Sequence, residues 1–217
     1  MTETEWQVCA DPTYMMRYLR KYQPSERKSR LFAIVCCHRI EHRFPPDDRC
    51  RSALDTCERY VEGLTGSDEL AAAYHAADQA FTEFDDQNGW ETSASAVSSA
   101  CSAKDIAVFA ESAAREAALL VWPRIQRQLE YRWQSQVLRC LFGNPFHAST
   151  IESSWLTSTA IALAEGIYAD KAFDRLPILA DALQDTGCEN ADILTHLRGD
   201  GPHVRGCWAL DLVLGKE

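Results

Sequence analysis

The chain has 217 residues, a net charge of −10 and a hydrophobic fraction of 46%, a balance typical of an ordered globular protein and not of a disordered or fibrous one. No apolar run approaches the roughly 18 residues of a membrane span, and the acidic start "MTETE" lacks the basic region of a secretory signal. These features argue against a membrane or exported protein, so we expect a cytoplasmic location and no membrane partner.

The charge is unevenly distributed, with 22 basic and 32 acidic residues. Only two short stretches, "RYLRKY" and "RIQRQLEYRWQSQVLR", are rich in basic residues. Because binding to duplex nucleic acid requires a broad basic face, we expect no duplex nucleic-acid partner. The short stretches leave open a local basic patch for an acidic partner.

The nine cysteines are odd in number, irregular in spacing and contain no C-x-x-C pair. This pattern differs from a disulfide framework, a zinc ribbon and a thioredoxin-like site. We therefore expect reduced and mostly buried thiols.

Start and stop signals predict helices along the first part of the chain. Asp11 is placed to cap a helix that begins at Pro12, and Ser25 to cap a helix that continues through "ERKSRLFAIVCCHRIEHRF" until Pro45 ends it. A further Ala-rich amphipathic helix begins at Ser67. No period-two alternation is long enough to indicate a strand.

The segment 88–103 is the weakest part of the pattern, since it is rich in Ser and Ala and carries an Asn-Gly turn signal. It is either a short helix or a flexible connection. A long helical stretch follows over about 104–141, with an interruption at Trp122 and Pro123. Shorter helices in the last third are capped by Asp174 and Asn190.

The predicted fold class is therefore all-α, an irregular multi-helix bundle. Its organisation is either one continuous domain or two packed helical lobes. In the second case the lobes comprise 1–87 and 104–217, and 88–103 connects them.

The stretch "CCHRIEH" fits the H-x-x-E-H pattern of inverted zinc peptidases through His38, Glu41 and His42. Four residues apart on one helix, the two histidines would share a face and could hold a metal. The apolar stripe of the same helix runs down that face. We favour a structural interpretation, in which both histidines are partly buried with hydrogen-bonded ring nitrogens.

A second candidate metal site lies near the end of the chain and consists of Cys188, His196, His203 and Cys207. Two thiols and two imidazoles suit the tetrahedral preference of structural zinc. The spacing is not that of a standard finger, so we predict no cofactor and keep zinc as an alternative.

The segment "LRGDGPHVRGCW" brings Arg198 and Arg205 to the start of the last helix, where an anion would be favoured. An internal ion pair with Asp174, Asp181 or Asp211 explains the same pattern, and we favour it. No phosphate-binding loop and no G-x-S-x-G nucleophile turn is present to support an enzyme.

Several segments resemble a family of hypothetical proteins abundant in Gemmata-like planctomycetes, and the resemblance is densest in the last third. These segments are "RLFAIVCCHRIEH", "LFGNPFH", "WLTSTAIALAEGIYADKAFDRLPILADAL" and "HVRGCWALDLVLGKE". The resemblance implies no activity. Family members read "CCRRIWH" where this chain reads "CCHRIEH", which implies that His38 and Glu41 are peculiar to this member. They also read "HCRG" where Leu197 follows His196 here, which weakens a shared metal site.

Three hypotheses for the function follow. The first, which we favour, is a non-catalytic cytoplasmic helical adaptor or regulatory module that acts through a protein partner, with the segment from Gly143 to Trp208 as its surface. The second is a ligand-binding or enzymatic domain with a pocket of His, Arg and Asp, and the third is a zinc-binding protein. The pocket candidates are His147, Asp174, Arg175, His196, Arg198, His203 and Arg205.

Overall fold

The computed structural model describes residues 1–84, 88–121 and 124–216, with the backbone only for residues 124 and 125. The described residues form twelve α-helices and no strand, so the all-α fold class is confirmed. The helices are α1 (Glu3–Val8), α2 (Pro12–Leu19), α3 (Glu26–His38), α4 (Arg49–Val61), α5 (Ser67–Glu83), α6 (Trp90–Cys101), α7 (Ile106–Leu119), α8 (Arg124–Phe142), α9 (Ser158–Asp170), α10 (Leu176–Asp185), α11 (Ala191–Arg198) and α12 (Trp208–Leu214). No described helix is both long enough and apolar enough to cross a membrane.

Local capping explains where several helices begin. The Asp11 carboxylate accepts a hydrogen bond from the Thr13 amide at 2.9 Å, directly before Pro12. The Asn190 side chain accepts from the amides of Asp192 and Ile193, both at 3.1 Å. These contacts satisfy amides that have no partner within the helix, and the predicted starts of α2 and α11 are confirmed.

The prediction that α3 runs to Pro45 is wrong, because the helix ends at His38. A 3-10 turn at Glu41–Arg43 follows. The change of direction buries Ile40 and Phe44, which are 1% and 4% exposed. The free energy gained by burying these two apolar side chains exceeds that of the helical hydrogen bonds that are lost when the helix ends.

The chain forms two compact units. The first contains Met1 and Gln7–Ser135, and the second contains Thr2–Trp6 and Gln136–Glu217. The division therefore falls within α8 and not at the segment 88–103 that the sequence suggested. The Trp-Pro pair expected to interrupt the long helix lies outside the described residues, between α7 and α8.

The segment 88–103 contains a buried helix of the first unit. In α6, Ala94, Ala96 and Ala100 are fully buried, and this helix contacts α3, α4, α5 and α7. Small side chains allow close approach of neighbouring helices, so the Ser- and Ala-rich composition reflects tight packing and not a flexible connection.

A buried arginine links α3 to the end of α6. Arg30 is 1% exposed, and its Nη1 donates to the carbonyl oxygens of Ala100 at 2.7 Å and Ser102 at 3.0 Å. Its Nη2 donates to Glu26 at 2.8 Å, and the guanidinium lies 5.2 Å from the ring centroid of Tyr60. The charge stabilises the helix end because carbonyls there lack helical partners.

The second unit packs α9 against α10 and α12, and α11 against α10 and α12. Within this unit, Trp6 of α1 is fully buried and its Nε1 donates to the Gly143 carbonyl at 3.0 Å. Arg139 Nη2 donates to the Trp6 carbonyl at 2.7 Å. These bonds hold the C-terminal end of α8 in place.

We predict that Arg30→Ala lowers the free energy of unfolding by about 3 kcal/mol, because buried carbonyls lose their donor and the ion pair is broken. Denaturant titration of the full chain measures the change. Arg51→Ala, at an exposed position of α4, serves as the control and should change stability by less than about 0.5 kcal/mol. Similar values for the two variants would contradict the assigned role of Arg30.

Candidate metal centre

Four segments of the second unit place Cys and His side chains together. Cys140 lies in the last turn of α8, and His196 lies in the last turn of α11. His203 belongs to the loop after α11, and Cys207 directly precedes α12. All four side chains therefore come from helix ends or from a loop, where the chain changes direction.

The four potential ligand atoms lie within 4.8 Å of one another. His196 Nε2 is 3.2 Å from Cys207 Sγ, and His203 Nδ1 is 3.8 Å from Cys140 Sγ. Zinc bonds of about 2.3 Å to sulfur and 2.0–2.1 Å to nitrogen separate the ligand atoms of a tetrahedron by roughly 3.3–3.8 Å. The cluster therefore fits a tetrahedral ion after small side-chain adjustments.

The loop fixes which nitrogen of His203 faces the cluster. Nε2 lies 3.0 Å from the Gly199 carbonyl oxygen, which can only accept a hydrogen bond. Nε2 therefore carries a proton. In the neutral ring Nδ1 has a lone pair available for a metal ion, whereas in the protonated ring Nδ1 donates a hydrogen bond to Cys207. Gly201 has a φ of +84°, and a Cβ there would lie 2.6 Å from the His203 amide nitrogen, so the loop requires glycine at this position.

Aromatic packing orients His196. Its ring meets the His203 ring edge to face, with centroids 5.0 Å apart, and lies 5.2 Å from the Trp208 ring. Trp208 packs closely over Gly143, where an added Cβ would come within 3.1 Å of the indole. Gly143 thus allows the indole to support His196 beside Cys140.

Burial and hydrogen bonding affect the two thiols differently. Cys140 is 2% exposed and Cys207 is fully buried. Burial raises the pKa of Cys140 well above its usual value. Burial also acts to raise the pKa of Cys207, but hydrogen bonds from Cys140, His196 and His203 outweigh it and hold that pKa well below its usual value. The three neighbouring side chains therefore favour the deprotonated form of Cys207.

The pKa of His203 is raised despite its burial. Burial lowers the pKa, whereas the hydrogen bonds to Cys207 and to the Gly199 carbonyl raise it, and the net change is upward. A proton and a metal ion would compete for the same nitrogen.

Of the four residues proposed from sequence as a second metal site, the structure brings together His196, His203 and Cys207. The fourth, Cys188, is buried but belongs to no such cluster within the part of the chain that the structure describes, and Cys140 takes its place. Cys140 lies on a different helix, far away in sequence, so spacing alone gives no signal for it.

The seven pocket candidates do not converge. All lie within the described residues, and only His196 and His203 share a cluster. His147 pairs with Glu3 at 3.1 Å, and Arg198 pairs with Asp181 at 2.6 Å.

The remaining three pocket candidates are Arg205, Asp174 and Arg175, and they lie away from the Cys and His cluster in their contacts. The Arg205 guanidinium lies 5.1 Å from the Tyr168 ring centroid. Asp174 and Arg175 are exposed in the 3-10 turn Phe173–Arg175. The expected pocket of His, Arg and Asp is therefore absent from this set of residues, and the Arg198 contact is the kind of internal ion pair that we favoured.

The histidines of "CCHRIEH" do not share a helical face, because α3 ends at His38 and His42 lies in the 3-10 turn. The His38 side chain is 41% exposed and thus partly buried as expected, whereas His42 is exposed. The ring nitrogens of His38 are hydrogen-bonded as expected, Nδ1 to Glu41 and Nε2 to Glu58. With both nitrogens engaged by carboxylates, His38 is held as a bridge between α3, the following turn and α4.

The fold and the cluster define the class: an all-α protein with a group of two buried cysteines and two half-buried histidines. No protein-family model matches the chain, and neither a curated protein nor a solved structure matches it. The resemblance to the planctomycete family therefore stays a prediction.

We predict that His38 stabilises the protein in a pH-dependent way. Burial lowers the pKa of His38, but the hydrogen bonds to Glu58 and Glu41 raise it more, and the net shift is upward. Because the pKa of His38 is higher in the folded than in the unfolded state, the protonated side chain stabilises the folded protein. This contribution is complete below the ordinary pKa of about 6.5 and is lost as the pH rises through the folded-state pKa.

His38→Gln should therefore lower the thermal midpoint more near pH 6 than near pH 9, measured by circular dichroism. Arg51→Gln, at an exposed position of α4, is the control. Its guanidinium stays charged over this pH range, so the thermal midpoint should show the same small change at both pH values. If His38→Gln lowered the thermal midpoint equally at both pH values, the assigned role of protonated His38 between Glu41 and Glu58 would be contradicted.

Proposed function

We propose that this protein is a non-catalytic helical module that binds one structural zinc ion through Cys140, His196, His203 and Cys207. One observation carries the proposal: four ligand atoms from four separate segments lie within 4.8 Å of one another. Random placement of surface histidines and buried thiols would not direct all four side chains to one point.

The donor set favours zinc. Two thiolates and two imidazoles in a tetrahedral arrangement are typical of zinc, whereas magnesium and calcium prefer oxygen ligands. His203 supports this assignment, because its far nitrogen is held by the Gly199 carbonyl at 3.0 Å. A ligating histidine commonly makes this contact, which orients the ring toward the metal.

The number of protein ligands favours a structural role. Four side chains complete a tetrahedral coordination sphere, and catalytic zinc retains an open position for water or substrate. The ion would join the end of α8, the end of α11, the loop and the start of α12. Metal binding would therefore stabilise the folded second unit, because the unfolded chain has no preformed site.

The state of the cysteines supports a reducing environment such as the cytoplasm. All nine are free, and eight of them are buried. Thiols in such an environment remain available as metal ligands. For the partner, we propose another protein that contacts the segment from Gly143 to Trp208, where the side chain of Ile178 on α10 is 57% exposed.

We predict about one zinc per chain in untagged full-length protein, measured by inductively coupled plasma mass spectrometry. Cys140→Ser should reduce the zinc content at least tenfold, because thiolate sulfur is lost from the coordination sphere. Cys188→Ser is the matched control, since Cys188 is equally buried in the same unit but lies outside the cluster, and it should retain the zinc.

A chelator tests the structural role. The thermal midpoint of the wild type and of Cys188→Ser should fall when the metal is removed, whereas that of Cys140→Ser should not change further. Metal-free wild-type protein with a melt that is insensitive to chelator would contradict the proposal. So would loss of zinc from Cys188→Ser with retention in Cys140→Ser.

A further inference from the structure

The first unit contains an open cavity of about 670 Å³ whose lining has more basic than acidic side chains. Two stretches of chain line it, residues 17–26 and 103–107. Its volume falls within the range of about 300–1,000 Å³ that is typical of small-molecule sites. The first stretch includes "RYLRKY", one of the two basic segments of the sequence.

Four cationic side chains line the cavity: Arg17, Arg20, Lys21 and Lys104. All four are exposed. Their concentration stands out against the net charge of −10 for the whole chain. It stands out further within the first unit, since residues 61–120 contain two basic residues, one of them Lys104, and eleven acidic residues.

Carboxylates near the cavity neutralise only part of this charge. Glu111 contacts Arg17 at 3.3 Å and Arg20 at 3.6 Å, so one carboxylate serves two guanidinium groups. Among the described residues, neither Lys21 nor Lys104 has a carboxylate partner.

The two acidic residues of the lining are already engaged. Glu26 pairs with the buried Arg30 at 2.8 Å. Asp105 caps α7 by accepting from the Val108 amide at 3.4 Å. Asp105 keeps its negative charge, because its capping donor is a neutral amide. Asp105 and Glu111 together offset two of the four cations, so a net positive charge still remains at the cavity.

We propose that this cavity binds a small phosphate-bearing molecule. Guanidinium groups bind phosphate oxygens with paired hydrogen bonds, and lysine ammonium groups add point charges. The binding would be strongest for a compact ligand with several charges, because cations from two stretches of the chain line the same open cleft. An extended polyanion would also meet the acidic remainder of the unit and be repelled by it.

Isothermal titration calorimetry with sodium tripolyphosphate on the full-length protein tests this proposal at fixed ionic strength. The wild type should bind at one site, and the double variant Lys21→Glu with Lys104→Glu should bind at least tenfold more weakly. The control is Arg51→Glu with Arg132→Glu, two exposed positions outside the cavity. Its net charge change is the same, and its affinity should stay within twofold of the wild type.

A second titration with ATP identifies the source of the phosphate. Equal affinities for ATP and tripolyphosphate indicate recognition of the phosphates alone, and tighter binding of ATP indicates that the cavity also contacts a nucleoside. Both results support the proposal. Absence of binding by either probe would overturn it, as would equal weakening in the cavity and control variants.

An acidic peptide provides the remaining comparison. A hexaglutamate peptide that binds more tightly than tripolyphosphate would replace the small-molecule proposal with a peptide site. Circular dichroism and zinc content should be unchanged in both double variants. The result is then independent of the metal centre in the second unit.

Discussion

The convergence of Cys140, His196 and His203 on the buried sulfur of Cys207 is the contact around which the end of α8, the end of α11 and the start of α12 are arranged. Cys207 is fully buried, where a charge is costly unless it is paired and hydrogen-bonded. Cys140, His196 and His203 direct hydrogen bonds at this sulfur and hold its pKa well below the usual range. A divalent metal ion would provide stronger compensation than protons alone, since it neutralises two thiolates at once.

The same cluster accounts for the irregular backbone around it. Gly201 permits the loop that presents His203, and Gly143 allows Trp208 to pack close to the end of α8. Trp208 in turn supports the ring of His196. Hydrogen bonds from Trp6 and Arg139 hold the end of α8 in its position. Side chains of the cluster are thus held by neighbours that contact them directly, which is the kind of support that a metal site requires.

Capping residues allowed much of the helical fold to be predicted from sequence, because their side chains act within a few residues. Asp11 and Asn190 are examples, and both cap where expected. The end of α3 was not predictable in this way, since it depends on burial of Ile40 and Phe44 against distant parts of the unit. The packing role of α6 was missed for the same reason: alanine-rich sequences give no strong amphipathic signal.

The candidate site could also be predicted from sequence only in part. His196, His203 and Cys207 lie close together in sequence, so their proximity could be predicted. Cys140 and Cys188 are both buried cysteines, and local sequence does not say which of them reaches the histidines. The choice depends on the tertiary position of α8 and on the contacts at its end. Long-range packing of this kind leaves no periodic or spacing signal in a single sequence.

X-ray absorption at the zinc edge of the purified full-length protein tests the central claim most directly. We predict a coordination shell of two sulfur atoms at about 2.3 Å and two nitrogen atoms at about 2.0–2.1 Å. In Cys188→Ser this shell should be unchanged, because Cys188 is not a ligand. A shell made only of nitrogen and oxygen, or a shell that loses sulfur in Cys188→Ser, would contradict a zinc site built from Cys140, His196, His203 and Cys207.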